Sequence, residues 1–257
     1  MNPEMEPKSP NMTKADVFRD VNVMLWSMKL YGRLRFFHQR FWESETQEAE
    51  HAFRIEGIPR LESVAEHSWH VADTVLLLGG HFPEMNLDRC MRLAVLHDKM
   101  EITTGDKSPI GRNGTGSTTH AFDPLSRQRK ELGEDQAITI YLATLRRSAV
   151  SEQKSILREI LEARTLESRF VKAVDKLQVL VYIILKKRGE IVDSHLIFTI
   201  KYASKALQYF PDLVLHFNEL RDRLLLQVAR RRETSVSSIE AIIQDQQLTL
   251  AWEDIPE

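Results

Sequence analysis

Leu93-Ala94-Val95-Leu96-His97-Asp98-Lys99-Met100-Glu101-Ile102-Thr103-Thr104-Gly105-Asp106 runs an apolar helical segment into an adjacent histidine–aspartate pair, a carboxylate and a Gly-Asp turn. Imidazole and carboxylate are natural ligands for a divalent first-row metal that keeps positions open for water. Neighbouring residues on a helix point about 100° apart. His97 and Asp98 can therefore share one ion only if it lies over the helix's buried side and other helices complete its shell. The pair demands a second histidine and a second acid on other inward-facing helices.

Two stretches answer that demand. In Leu61-Glu62-Ser63-Val64-Ala65-Glu66-His67-Ser68-Trp69-His70, Ser63 followed by Glu66 is a capping box, so a helix begins there. His67 falls in its first turn and His70 on a nearby face; Gly79-Gly80 stops the helix. The next helix starts near Asn86 or Asp88 and carries Leu93, Leu96 and His97. Farther on, Glu167 to Lys187 reads as a strong helix, with Phe170, Val171, Val174, Leu177, Leu180, Val181 and Ile184 as a wide apolar stripe. Asp175 borders that stripe, where a carboxylate costs stability unless it is paired or binds a metal.

The rest of the chain is expected to be helical too. Residues 1–12, with Pro3, Pro7 and Pro10, read as a disordered leader. A helix from Thr13 would carry Val17, Val21, Met24, Met28 and Tyr31, and the aromatic group Phe36, Phe37, Phe41 and Trp42 reads as core. Ser108 to Asp123, rich in Gly, Ser and Thr, reads as a mobile lid or substrate loop. Asp123-Pro124 opens a helix to about Arg147, and Ser151 caps a short one. Helices over Asp193 to Tyr209 and Pro211 to Arg232 complete a domain spanning 13–232. A tail, 233–257, holds a short helix around Ser235 to Gln247. With no repeat and no period-two pattern, the fold class is all-α.

Composition narrows the function. The 257 residues are 42% apolar and 28% charged, as in one globular domain. A net charge of −2 gives no general case for nucleic acid or an anionic membrane. The single cysteine, Cys90, excludes an internal disulfide and a cysteine zinc cluster, and reads as core filler. The longest apolar run, Val179 to Leu185, is far short of a membrane span, and the N-terminus lacks the apolar core of a secretion signal. A soluble, cytoplasmic protein is expected.

The stretches Arg60 to Ser68, His97 to Glu101 with Gly105-Asp106, and Val171 to Leu177 resemble, in order and spacing, the HD-domain metal-dependent phosphohydrolases. Within that superfamily the likeness is greatest to the bacterial 5′-deoxynucleotidases and their eukaryotic HD-domain relatives. The resemblance implies an HD-domain helical bundle with additional C-terminal helices, in which His67, His97, Asp98 and Asp175 bind one divalent metal ion (Co, Mn, Mg, Fe or Zn). It makes Glu101 the acid or base beside the attacking water, with Asp98 part of the catalytic group, and has Asp106 contact the sugar. The family cradles phosphate and excludes ribose with an Arg-Trp pair upstream of the first histidine. Phe53-Arg54-Ile55 stands nearest that place, without a tryptophan and about two residues short. Arg54, Arg60 and Lys99 are the further substrate contacts expected, and the partners implied are a small phosphorylated substrate and a second copy in a homodimer.

The chemistry follows from the ligands themselves. Two imidazoles and two carboxylates leave room on an octahedral ion for water and a phosphate oxygen, and a nearby carboxylate can shuttle the proton. Lys99, Lys172 and Lys176 flank the ligands. Two alternatives stay open: an HD enzyme acting on another phosphorylated metabolite or a nucleoside polyphosphate, and a binding module that has lost turnover. Dinuclear HD enzymes need further histidines between the His-Asp pair and the last Asp; only His120 lies there.

Overall fold

A computed structural model of the protein describes residues 15, 22, 30, 33–36, 61–111 and 114–249. The leader, most of the helix expected from Thr13, Phe37, Phe41, Trp42, Arg54 and Arg60 lie outside the described residues. Within them the chain is helical, as expected: α1 (Val64–Gly79), α2 (Leu87–Leu96), α3 (Glu101–Thr104), α4 (Pro124–Thr144), α5 (Arg147–Glu162), α6 (Leu166–Lys187), α7 (Asp193–Ala203), α8 (Lys205–Tyr209), a 3-10 turn (Pro211–Leu213), α9 (Val214–Arg231) and α10 (Val236–Thr249).

Local chemistry sets most of the boundaries. Ser63 caps α1 in a full capping box, its Oγ accepting from the Glu66 amide at 3.2 Å while its own amide donates to Glu66 Oε2 at 2.7 Å. Asn86, Asp123 and Thr165 cap α2, α4 and α6 in the same sense, with Pro124 as the first residue of α4. Two expectations are corrected. Ser151 lies inside α5, which begins four residues earlier at Arg147. The helix expected over Asp193 to Tyr209 breaks into α7 and α8 at Ser204, whose hydroxyl donates to the Lys201 carbonyl at 2.8 Å.

The core is organised around α6. Phe170, Val174 and Leu180 are fully buried, and Val171, Leu177 and Ile183 nearly so. Burying one such side chain is worth about 1.5–3 kcal/mol. Around this axis pack α1, α2, α5, α7, α8 and α9. Cys90 sits in the same core, as read from sequence, and burial pushes its thiol up to about 12. From α10, Ile239 and Ile243 enter it too, so the tail helix packs on the bundle. No helix of the described residues is long and apolar enough to cross a membrane.

Two irregular segments line one pocket beside α6. Residues 33–36 run antiparallel to 62–64, the Arg35 amide donating to Glu62 O and the Val64 amide to Arg33 O, both at 2.9 Å. Phe36 then stacks on Tyr182 of α6, ring centres 5.0 Å apart. The described residues of 105–123 are tied to one another: Gly116 N donates to Ile110 O at 2.8 Å, and Thr119 Oγ1 to Pro109 O at 2.5 Å. Ile110 and Ala121 anchor it on Phe198 of α7.

Candidate metal and phosphate site

Five segments meet at one pocket, four of them lining it and the fully buried His67 of α1 standing against two of the lining residues, His97 and Asp175. α1 supplies His67, the turn after α2 supplies His97 and Asp98, α3 supplies Glu101, the following turn Asp106, and α6 supplies Asp175. The difficulty of two adjacent ligands is met by the backbone. The α2 ladder ends at Leu96 and gives way to three-residue turns, Lys99 N to Leu96 O at 3.1 Å and Glu101 N to Asp98 O at 3.0 Å. His97 and Asp98 then face the same side, Nε2 to Oδ2 3.2 Å.

The donor atoms cluster as ligands of one ion would. His67 Nε2 lies 3.1 Å from His97 Nε2, 3.2 Å from Asp175 Oδ1 and 3.5 Å from Asp98 Oδ2. Ligands about 2.1 Å from a common ion, at right angles, sit roughly 3 Å from one another. His67, His97 and Asp98 thus form a group able to hold a metal ion, with Asp175 against it. His97 Nδ1 faces the Ala94 carbonyl at 2.7 Å, and because that oxygen only accepts, the neutral ring turns the Nε2 lone pair to the cluster. The donor set fits a divalent cation.

Charge is graded across the pocket. Burial opposes ionisation of Asp175 and Asp98, but Lys176 and His67 hold Asp175 well below the usual carboxylate range, and the two histidines hold Asp98 below it. Glu101 goes the other way: burial, then Asp98 and Asp106, push its carboxyl well above the ordinary value. Its Oε2 is buried and has no hydrogen-bond partner among the described residues. Burial and the charge of Arg35 lower the pKa of His67. For His97 burial also opposes charge, yet Asp98 and Asp175 outweigh it and raise the pKa.

Other expected contacts separate. Asp106 lines the pocket and accepts from the Phe36 amide at 3.1 Å. Lys99 is not among its lining residues; its ammonium is buried against Tyr141, donating to the phenol oxygen at 2.7 Å. Lys172, Lys176 and His120 line the pocket, and Lys176 Nζ bonds Asp175 Oδ2 at 2.8 Å. The arginine beside the His/Asp cluster is Arg35, outside the residues expected from sequence. It donates from Nη1 to Glu62 Oε1 at 2.5 Å and to Gln178 Oε1 at 3.1 Å, and the same nitrogen stands 2.7 Å from His67 Nδ1. The signal available was Arg35-Phe36, an arginine followed by an aromatic residue upstream of His67.

Known proteins share this framework. "5'-deoxynucleotidase hdd1" of Schizosaccharomyces pombe is 30% identical over 128 residues, 48% of this chain and 58% of that protein. "5'-deoxynucleotidase HDDC2" of Xenopus laevis is 28% identical over 177 residues, 67% of this chain and 76% of that protein. "5'-deoxynucleotidase YBR242W" of Saccharomyces cerevisiae is 28% identical over 130 residues, 49% of this chain and 48% of that protein. The match thus spans about half the length of two of these three relatives. The sequence profile described as HD domain matches residues 51–209, which include all four clustered residues, and the chain belongs to the HD-domain family.

Proposed function

We propose that this chain is a metal-dependent phosphohydrolase that removes phosphate from (deoxy)nucleoside 5′-monophosphates. The observation that carries the reading is the convergence of His67, His97, Asp98 and Asp175 beside a buried Glu101 carboxylate oxygen with no partner among the described residues. In this reading those four residues hold one divalent ion. Once bound, such an ion lowers the pKa of a water and offsets charge on the phosphoryl oxygens. Glu101 Oε2 takes the proton as the water attacks; burial and neighbouring carboxylates raise its affinity for that proton, as a base working near neutral pH requires. Arg35, held charged by Glu62, Asp106 and Asp175 against the cost of its burial, faces the phosphate's negative oxygens. In the same reading Asp106, which accepts from the Phe36 amide, takes a sugar hydroxyl. The name 5′-deoxynucleotidase on the relatives supports the choice of a nucleotide. A homodimer in the cytoplasm, with no role for nucleic acid or membrane, completes the proposal; sedimentation tests the dimer.

The test is phosphate release from a panel of deoxynucleoside and nucleoside mono- and triphosphates. Metal-stripped protein would be reloaded with cobalt, manganese, magnesium, iron or zinc in turn. Asp98→Ala is expected to abolish both metal retention and release. Glu101→Gln is expected to keep one metal per chain and lose about 10²–10⁴-fold in kcat. Metal retention unchanged in Asp98→Ala would overturn the ligand assignment. No release from any phosphate ester by the loaded protein would overturn the reaction.

A further inference from the structure

The pocket does not end at the His/Asp cluster. Ser168, Val171, Lys172, Asp175, Lys176 and Val179 all line it, so it follows one face of α6 for several turns. Lys172 lies three residues before Asp175, about 4.5 Å along the helix axis. Beside it the wall is basic: Lys205 of α8, with Lys107 and Arg127 toward the mouth.

The bases of this pocket fall into two groups. Arg35 is paired with Glu62, Lys130 with Glu134 and Lys176 with Asp175. Lys107, Arg127, Lys172 and Lys205 have no carboxylate within 4.0 Å among the described residues, although Glu131 shares the pocket. Lys172 and Lys205 are half-buried. The Lys172 ammonium lies 5.8 Å from the Tyr209 ring centre, and that of Lys205 lies over Phe122 at 5.1 Å while donating to the Ala121 carbonyl. Ammonium groups partly withdrawn from water without a counter-charge cost stability. Burial, then repulsion from Lys176 and Lys130, lowers Lys172 to about 8 against the pull of Glu134 and Asp175; burial, then repulsion from Arg127, Lys176 and Lys201, lowers Lys205 to about 7. A bound anion removes that cost; a lone monophosphate held at the His/Asp cluster leaves it in place.

We infer that the pocket takes a phosphate ester bearing a second phosphate, which Lys172 and Lys205 hold one helical turn or more from the His/Asp cluster, with Lys107 and Arg127 at its mouth. Within that reading the preferred substrate is a nucleoside 5′-phosphate that bears a second phosphate, as a bisphosphorylated nucleoside or a nucleoside diphosphate, bound more tightly than the plain monophosphate. The inference rests on the phosphohydrolase reading for its first phosphate, and on the lysine wall for its second.

The test is calorimetric binding to Glu101→Gln protein loaded with manganese, a background chosen to slow turnover. Probes are 2′-deoxyadenosine 5′-monophosphate, the 3′,5′-bisphosphate and the 5′-diphosphate. At least one doubly phosphorylated probe should bind about tenfold or more tightly than the monophosphate at low salt. Adding Lys172→Met with Lys205→Met should shrink that preference to about twofold, while Lys172→Arg with Lys205→Arg keeps it; circular dichroism checks the fold of each variant. Equal binding of all three probes, or a preference that survives the methionine changes, overturns the inference. Hydrolysis of monophosphates by the unaltered chain with no such preference sinks the inference and leaves the reaction standing. A preference carried by the lysines in a chain that hydrolyses no phosphate ester does the reverse.

Discussion

At the scale of single residues, Arg35 shows how a charge is kept in a buried place. Its side chain and that of Glu62 are 11% and 9% exposed, and Gln178 bridges them, donating from Nε2 to Glu62 Oε2 at 3.0 Å. Removing one member of such a pair strands the other charge, which typically costs about 3–5 kcal/mol, whereas removing both is far milder. Arg35→Ala is expected to lose stability on that order in urea unfolding, and Arg35→Ala with Glu62→Leu to recover much of it. A double variant no more stable than the single one would show that packing, not the stranded carboxylate, dominates. Either variant loses the guanidinium that faces the pocket, so recovered stability without recovered phosphate release separates the two roles of Arg35.

At the scale of elements, the chain was legible where the signal is local. The capping box at Ser63 and Glu66 set the start of α1 and hence the place of His67. Asp175 stood out because an apolar stripe rejects a carboxylate without a partner, and Lys176 Nζ at 2.8 Å and His67 Nε2 at 3.2 Å are its partners. Arg35 was not legible, because its partners lie 27, 32 and 143 residues away and meet it only through the short pairing of 33–36 with 62–64. The end of α2 at Leu96 was likewise hidden, since the turn that follows is set by the site, not by a Gly or Pro. One boundary gives a sharp prediction. α6 ends at Lys187, and two residues on stands Gly189, φ +83, where an added Cβ would stand 2.4 Å from the Gln227 carbonyl oxygen of α9. Left-handed backbone costs a non-glycine residue about 1–2 kcal/mol before any clash. Gly189→Ala is therefore expected to lose at least about 2 kcal/mol in thermal unfolding, with metal content intact in the folded fraction. A loss below 1 kcal/mol would mean that α9 shifts freely against α6.

At the scale of the whole molecule, the candidate ligands come from α1, the turn after α2 and α6, so binding and folding are linked. A cation that binds only the folded chain stabilises it by about 2.7 kcal/mol at a hundredfold excess over Kd. For a domain of this size that is roughly 5–10 °C in Tm, so chelation should lower the melting temperature by about that much and Asp175→Ala should erase the difference. A second linkage runs through His195, buried in α7, whose pKa burial and then Lys187 lower to about 3. An unfolded histidine titrates near 6.5. Between those values the unfolded chain binds the extra proton and the folded chain does not, so stability falls as pH falls. The slope is about 1.4 kcal/mol per pH unit for one such group, vanishing above pH about 6.5 and below about 3. Metal-stripped protein should thus lose stability from pH 6 to pH 4 more steeply than a metal-stripped His195→Leu variant, by close to one proton's worth of slope. Carboxylates of the pocket titrate equally in both chains and cancel in the comparison. Parallel acid limbs in the two chains would mean that His195 gains its proton without unfolding, through a local opening of α7 rather than the loss of the bundle.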